Sequence, residues 1–406
     1  MPPRYRRLVK RQLKNLALAV LYVIFTVVGL IGWLRTEKRK DFAACEVKKI
    51  LIIRLDLLGD VVLSSPAIRA LRDAYPNAHI AMLVLPYTAQ IVRLFPEVDE
   101  VYTFDINQLR PSGDMLNLAH YGELYHLLRR LRRERFDLCV SLYGLWASLF
   151  SYGSGAHFRV GYRGESYPFM HNIAIGGRRY CERKHEVEWN LVLAKAGGAK
   201  RTDLTFKLVI PRDVEEKVLT MLKQEGVNDG DLLIGMHCGA SNGSAKRWMT
   251  NGWAVLADTL IREKGAKVVF TGSANELPLV GEVVEQMQET PIVMAGRTDL
   301  LELAALVRRC RLFVSGDSGP LHIAVALGIP TVAVHGPTDP AISGPYDPNA
   351  AVVRKPLPCS PCYDSYDVAE CPKDNPVCMK MISAGEVYAA VERMFTPTVN
   401  PCESSL

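Results

Sequence analysis

From Val47 onward, short runs of consecutive apolar residues alternate with stretches whose apolar positions recur every three or four residues. The first pattern suits strands buried on both faces and the second suits the helices that cover them. Their regular alternation predicts parallel sheets wrapped by helices. In the first half, residues 48–55 (KKILIIRL), 79–85, 101–104 and 137–142 read as strands, with helices over 61–75 and 121–135. The second of these helices carries many Arg residues on its polar face, which suits either a solvated surface or an anionic partner. The pattern restarts near Leu232, with strands at 232–236, 267–271, 291–295, 311–315 and 331–336. Helices at 252–263, 276–288, 300–309 and 320–327 lie between them. Pro211 opens a further helix and a Gly/Asn/Asp-rich stretch (226–231) closes it, so the joint between the halves is expected around 210–230. Two doubly wound α/β halves bring polar strand ends to a shared cleft, where ligands of such sheets bind.

The amino terminus follows another pattern. Leu16 to Leu34 is nineteen residues without a charge, enough helix to cover ~28 Å, about one bilayer core. Six basic residues precede it and four follow (Arg35, Lys38, Arg39, Lys40), and Trp33 sits where an interfacial aromatic would. The run is longer than a typical signal-peptide core and no small-x-small cleavage site follows, so an uncleaved anchor is expected. This segment also explains the overall charge of +6. Residues 1–40 hold ten Lys/Arg against one acid, which leaves the remainder mildly acidic and argues against a general nucleic-acid binder. With 49% hydrophobic and 23% charged residues the body is globular, which excludes disordered, collagenous and disulfide-scaffold classes. Counting basic flanks nominally puts the body outside the cytoplasm, whereas a shallow or re-entrant insertion leaves both flanks on the cytoplasmic face.

Four polar clusters end strands. Ser315-Gly-Asp-Ser-Gly-Pro-Leu-His322 is a strand end, a turn and a helix start, with Ser318 as a candidate N-cap and Pro320 in the first turn. Its amides suit a phosphate, with Asp317 and His322 beside them, although an ordinary turn capped by Asp317 has the same pattern. Arg54-Leu-Asp-Leu-Leu-Gly-Asp60 places Asp60 at the mouth of the cleft, as a general base or as an N-cap. His237-Cys-Gly-Ala-Ser241 leads to Lys246 and Arg247, cations suited to a diphosphate. Thr271-Gly-Ser with Glu276 offers a carboxylate for a ribose diol. The loop after the first strand is not GxGxxG, which counts against a dehydrogenase.

Together these segments resemble the lipopolysaccharide heptosyltransferases, glycosyltransferase family 9. The marks are KILIIRLDLLGDVVLSSPAIRALR, HCGAS…KRW and FVSGDSGPLHIAVALGIPTVAVHGPTDP, spread over roughly 48–395. The resemblance implies a GT-B fold of two Rossmann-like domains facing across a cleft. After the basic anchor segment (1–46) read above, it divides the chain into an acceptor domain (47–215), a nucleotide-sugar domain (216–382) that includes the Cys-rich loop 359–378, and a C-terminal helix and tail (383–406). That helix, about 384–395, would return to brace the first domain. The implied reaction is inverting transfer of a heptose from ADP-L-glycero-D-manno-heptose to a sugar of the lipid A core, with no cofactor required. Asp60 would be the base. Lys246, Ser241, Ser318, Gly319 and His322 would hold the donor, Asp317 would position its loop, and Glu276 would bind the ribose. A cytoplasmic donor places the body on the cytoplasmic face of the inner membrane, held by residues 16–34.

Alternatives within the family are another nucleotide sugar or a protein acceptor. From another class, a sugar-nucleotide epimerase shares the architecture, because fold does not fix chemistry. Cys359, Cys362, Cys371 and Cys378 lie within twenty residues and are candidates for a structural Zn or Fe site. Two disulfides are the alternative outside the cytoplasm, and unligated thiols inside it.

Overall fold

A computed structural model describes residues 42 and 45–395, apart from 110–116, 166, 168, 178–181, 203–204, 241–242, 363–369 and 372. The apolar segment 16–34 and Ser241 lie outside the described residues. Among the described residues, no helix is long and apolar enough to cross a membrane.

Two six-stranded sheets form the body. The first holds β1 (Lys49–Arg54), β2 (His79–Val84), β3 (Glu100–Thr103), β4 (Leu138–Ser141), β5 (Phe158–Tyr162) and β6 (Ile173–Ile175), in the order β3-β2-β1-β4-β5-β6. The second holds β7 (Leu233–His237), β8 (Lys267–Thr271), β9 (Ile292–Val293), β10 (Leu312–Gly316), β11 (Thr331–Val334) and β12 (Ala351–Val353), in the order β12-β11-β10-β7-β8-β9. Every pairing is parallel. Ile50 to Ile53 are fully buried without alternation, because helices cover both faces of the sheet. Chain order reverses between β1 and β4 and again between β7 and β10, and at such a reversal the strand ends open a crevice.

The helices of six residues or more among the described residues are α1 (Leu58–Leu63), α2 (Ser65–Ala74), α3 (Leu118–Glu134), α4 (Gly144–Gly153), α5 (Glu186–Ala196), α6 (Arg212–Gln224), α7 (Thr250–Lys264), α8 (Leu277–Val284), α9 (Leu300–Arg309), α10 (Gly319–Ala326) and α11 (Ala384–Phe395). The single helix expected over 61–75 is instead two, α1 and α2. Pro66 offers no N–H to Val62 and its ring crowds that carbonyl, so the chain breaks at Ser64, whose hydroxyl donates to the Val61 carbonyl at 2.6 Å. The expected helix 276–288 is a tight turn at 274–276 followed by the shorter α8. Strands β5, β6 and β12 and helices α4 and α5 carry too little periodicity to be read from sequence.

The C-terminal helix corrects a second expectation. Instead of bracing the first domain, α11 packs on α7, β11 and β12, with Val387, Ala390 and Val391 in the core of the second sheet. The segment leading into it is pinned there, because Trp248 Nε1 donates to the Ile382 carbonyl at 2.9 Å.

The two halves meet through α1 and α10. A Cβ on Gly59 would stand 2.6 Å from His322 Cδ2, and one on Gly319 would stand 2.7 Å from Leu58 Cδ2. Each helix therefore offers a glycine to a bulky side chain of the other, and the backbones approach closely. Replacing Gly59 with alanine forces the His322 ring aside. It should cost about 1–3 kcal/mol, seen as a lower thermal unfolding midpoint together with reduced turnover. An unchanged midpoint would show that the two helices separate freely.

Candidate active site

A cleft of about 670 Å³ lies at the facing strand ends, lined by Asp60, Tyr143, Glu186 and Trp189 from one side and His237, Lys246, Glu276, Asp317, Ser318, Gly319 and His322 from the other. The first wall is organised by Arg54, the last residue of β1 and fully buried. A guanidinium cannot lose water without partners, and here it has several. Nη2 lies 3.1 Å from Asp60 Oδ1 and 3.2 Å from Asp56 Oδ2. Nη1 lies 2.7 Å from Glu186 Oε1 and 3.3 Å from Asn190 Oδ1, and the group sits 5.3 Å from the centre of the Tyr143 ring. Three carboxylates share one buried cation, and two of them, Asp60 and Glu186, border the cleft. Asp60 is not an N-cap. It occupies the first turn of α1, whose N-cap position is Leu57.

On the opposite wall, Ser318 takes the N-cap position of α10, but its hydroxyl pairs with Ser315 Oγ at 2.9 Å instead of capping. The first amides of α10 therefore lack a side-chain cap and face the cleft, where a helix terminus favours an anion. Asp317 does not cap either. It accepts from Lys246 Nζ at 2.8 Å, and both side chains are largely buried. Burial alone would raise the Asp317 carboxyl, but Lys246 and the neighbouring His335 and His322 hold it well below the ordinary carboxylate range. His322 is pushed the other way. Burial lowers it to about 4 despite the Asp317 charge, so at neutral pH it is an uncharged imidazole, with no partner at Nδ1.

Glu276 reaches the cleft from a capping box. Its Oε2 accepts from the Ser273 amide at 2.8 Å and hydroxyl at 2.9 Å. Oε1 lies where a side chain at position 239 would be, since a Cβ on Gly239 would stand 1.9 Å away. Burial lowers His237, which is 3.7 Å from the same carboxylate, so that contact is not a charged pair at neutral pH.

Of the residues singled out from sequence, Asp60, Lys246, Glu276, Asp317, Ser318, Gly319 and His322 line this one cleft. Ser241 lies outside the described residues. The Zn or Fe reading of the cysteines gains no support: among the described residues no group of three His, Cys, Asp or Glu side chains is arranged to hold a metal ion. Cys359, Cys362, Cys371 and Cys378 form no disulfide. Burial pushes the Cys378 thiol up, and the neighbouring Cys362, Cys359 and Cys371 push it the same way.

Sequence reasoning missed His185, Glu186, Trp189 and Asn190, which open α5. The available signal was Glu186 and Asn190 at i and i+4 of a largely apolar helix, one polar stripe on a buried face. His185 Nε2 bonds the Gly344 carbonyl at 3.0 Å while Nδ1 accepts from the Val187 amide, so the proton is on Nε2 and the bond ties the two domains. Arg183 and Asp339 pair across the same boundary.

Replacing Lys246 with methionine tests the opposite wall. The depressed Asp317 carboxyl contributes stability that is present above its unfolded-state value and lost as pH falls. Without the ammonium, burial raises Asp317 and its charge becomes a liability at neutral pH. The variant should lose about 3–5 kcal/mol at pH 7, and the deficit should narrow as the medium becomes acidic enough to protonate Asp317. A deficit independent of pH would break the assignment.

The family model of glycosyltransferase family 9 (heptosyltransferase) matches residues 124–372. Lipopolysaccharide heptosyltransferase 2 of Escherichia coli K12 is 31% identical over 317 residues, covering 75% of this chain and 88% of that protein. Among solved structures, the glycosyl transferase family 9 protein of Veillonella parvula superposes with a TM-score of 0.71 at 26% identity, covering 86% of this chain and 97% of that one. The ADP-heptose lps heptosyltransferase II of E. coli superposes with a TM-score of 0.67 at 25% identity, covering 85% and 98%.

Proposed function

The chain belongs to glycosyltransferase family 9, the heptosyltransferases, and we propose that it moves a heptose from ADP-L-glycero-D-manno-heptose to an acceptor sugar of the lipopolysaccharide core. The observation that carries this reading is the cleft itself: a carboxylate from the first half, Asp60, faces an uncapped helix terminus from the second, with Lys246 beside it. The names of the E. coli relatives supply the sugar and the pathway.

In this reading the transfer is inverting and needs no bound metal. Asp60 removes the proton of the acceptor hydroxyl as its oxygen attacks the anomeric carbon, and the bond to the diphosphate breaks on the opposite side. The proton ends on Asp60 and the electron pair on the departing ADP. Negative charge growing on that diphosphate is met by the Ser318 and Gly319 amides, by Lys246, which Asp317 positions, and by the neutral imidazole of His322. These contacts tighten in the transition state, which is where they gain rate. Glu276 takes the ribose and Ser241 adds a donor contact. Arg54 and Glu186 hold Asp60 in place without touching the sugars.

Residues 47–215 serve as acceptor domain and 216–382 as donor domain, with 1–46 as membrane segment and 383–406 as terminal helix and tail. The body works on the cytoplasmic face of the inner membrane, where a lipid A-core acceptor and a soluble nucleotide sugar meet. Residues 16–34 keep it there.

The full chain in detergent, given truncated core lipopolysaccharide and ADP-, UDP- and GDP-sugars in turn, should add one heptose mass with ADP-heptose alone. Transfer from another nucleotide sugar would correct the donor. Donor isomerised without any acceptor would establish the epimerase. Asp60→Asn should slow transfer by ~10²–10⁴-fold while ADP binding stays within a few-fold; full activity would remove Asp60 from the mechanism. Glu186→Gln should lower kcat by ~10-fold or more with the donor KM unchanged, and a change confined to the donor KM would contradict a positioning role.

A further inference from the structure

The mechanism leaves the arginine-rich helix α3 unused. Its inner face is apolar: Leu124, Leu127, Leu128 and Leu131 pack over β1 and against Phe136 and Phe150. Its outer face carries Tyr121 and Tyr125, 44% and 60% exposed, then Arg129, Arg132 and Arg133. At 100° per residue these five side chains fall on one stripe. Both acids of the helix are occupied away from that stripe, Glu123 with Gln108 at 3.2 Å and Glu134 with Lys49 at 2.9 Å. Arg130 is likewise turned aside to Glu100 at 2.8 Å. Among the described residues, Arg129 and Arg133 have no carboxylate partner, and Arg132 donates only to the Gly153 carbonyl at 2.8 Å.

The two ends of α3 have different neighbours. Its C-terminal end lies beside the start of β1, since Asp137 accepts from the Lys48 and Lys49 amides at 2.8 and 2.9 Å. The arginines therefore stand towards the amino edge of the first sheet. The N-terminal end, about 25 Å away along 17 residues, stands at the carboxyl edge of the first sheet, the edge that opens on the cleft. Exposed Leu145 begins the neighbouring helix α4 at that same edge.

We propose that this outer face of α3 lies on an anionic phospholipid bilayer, with its arginines among the headgroups and Tyr121 and Tyr125 at the interface. Tyrosine favours the boundary between headgroups and hydrocarbon, and arginine near the surface gathers anionic lipid. A nucleic acid fits less well, because the chain beyond residue 40 is mildly acidic overall and the tyrosines stand at one end, not interleaved with the arginines. The face runs from the amino edge of the first sheet to the cleft edge, so a bilayer along it is presented to the cleft mouth. The inference rests on the membrane-bound reading above but not on the sugar chemistry, since amide exchange on vesicles is read without a nucleotide sugar.

The full chain is bound to phosphatidylcholine vesicles with and without phosphatidylglycerol, and amide exchange is followed over residues 118–135. Exchange should slow on the anionic vesicles only. Arg129→Glu with Arg133→Glu should abolish that protection. Arg129→Lys with Arg133→Lys should retain it. The same charge reversal on exposed α6, Arg212→Glu with Lys223→Glu, should leave it unchanged. Protection that is absent, that is equal on both lipids, or that appears only with single-stranded RNA would overturn the proposal. So would equal loss in the α6 control. Thermal melts of each variant separate unfolding from lost binding, and transfer to a soluble acceptor fragment, unaffected by the α3 changes, separates this surface from the cleft.

Discussion

A guanidinium buried at the end of the first strand must be surrounded by carboxylates, and much of the first domain is arranged to supply them. Arg54 has no contact with solvent. Asp56 comes from the loop directly after β1 and Asp60 from the first turn of α1, but Glu186 and Asn190 come from a helix more than a hundred residues later. Removing Arg54 would leave three carboxylates without their cation in a low-dielectric site, which is far more costly than the same change at the surface. The pairing therefore fixes three things together: the docking of α5, the path of the α1 loop, and the placement of the Asp60 carboxylate at the cleft. Asp317 and Lys246 repeat this logic on the other wall, with one buried carboxylate and one ammonium.

Close approach of the two halves depends on a different constraint, volume. Gly59 and Gly319 leave room for His322 and Leu58, so the helix that carries the candidate base lies directly against the helix whose N-terminus faces the cleft. The apolar core is continuous across this boundary, running from Val62 and Ile91 of the first half to Leu303 and Ile323 of the second. Polar ties from His185 and Arg183 close the rim. Most candidate groups of this site stand at the end of a strand or in the first turn of a helix, and Lys246, on the connection 238–249, is held by its bond to Asp317. Such elements hold side chains more accurately than loops do.

Helix α3 belongs to neither wall. Its apolar side completes the first core, while its outer side concentrates positive charge that the rest of the body does not balance locally. Basic charge is thus concentrated in the amino-terminal sequence and on this helix, whereas the cleft combines cations with buried carboxylates. Overall charge alone would not separate these two uses.

The sequence by itself determined the architecture. Buried runs such as 50–53 and 312–314 and the helical stripes between them require parallel sheets covered on both faces, and strand-end glycines mark where ligands approach. It also singled out seven of the residues that line the cleft, because Asp60, Lys246, Glu276, Asp317, Ser318, Gly319 and His322 follow strands whose ends must converge in such a sheet. It did not reveal the role of Arg54, His185, Glu186, Trp189 or Asn190. Their meaning lies in a contact between β1 and α5, and local periodicity carries no information about which distant carboxylate will neutralise a buried cation. The broken helix at Ser64 and the docking of α11 on the second domain were likewise decided in three dimensions. The first reflects a proline's steric conflict with the preceding turn, the second a choice between two apolar surfaces to cover. Spacing along the chain brings four cysteines within twenty residues of one another, but the side-chain directions and burial that a metal site needs are set in three dimensions.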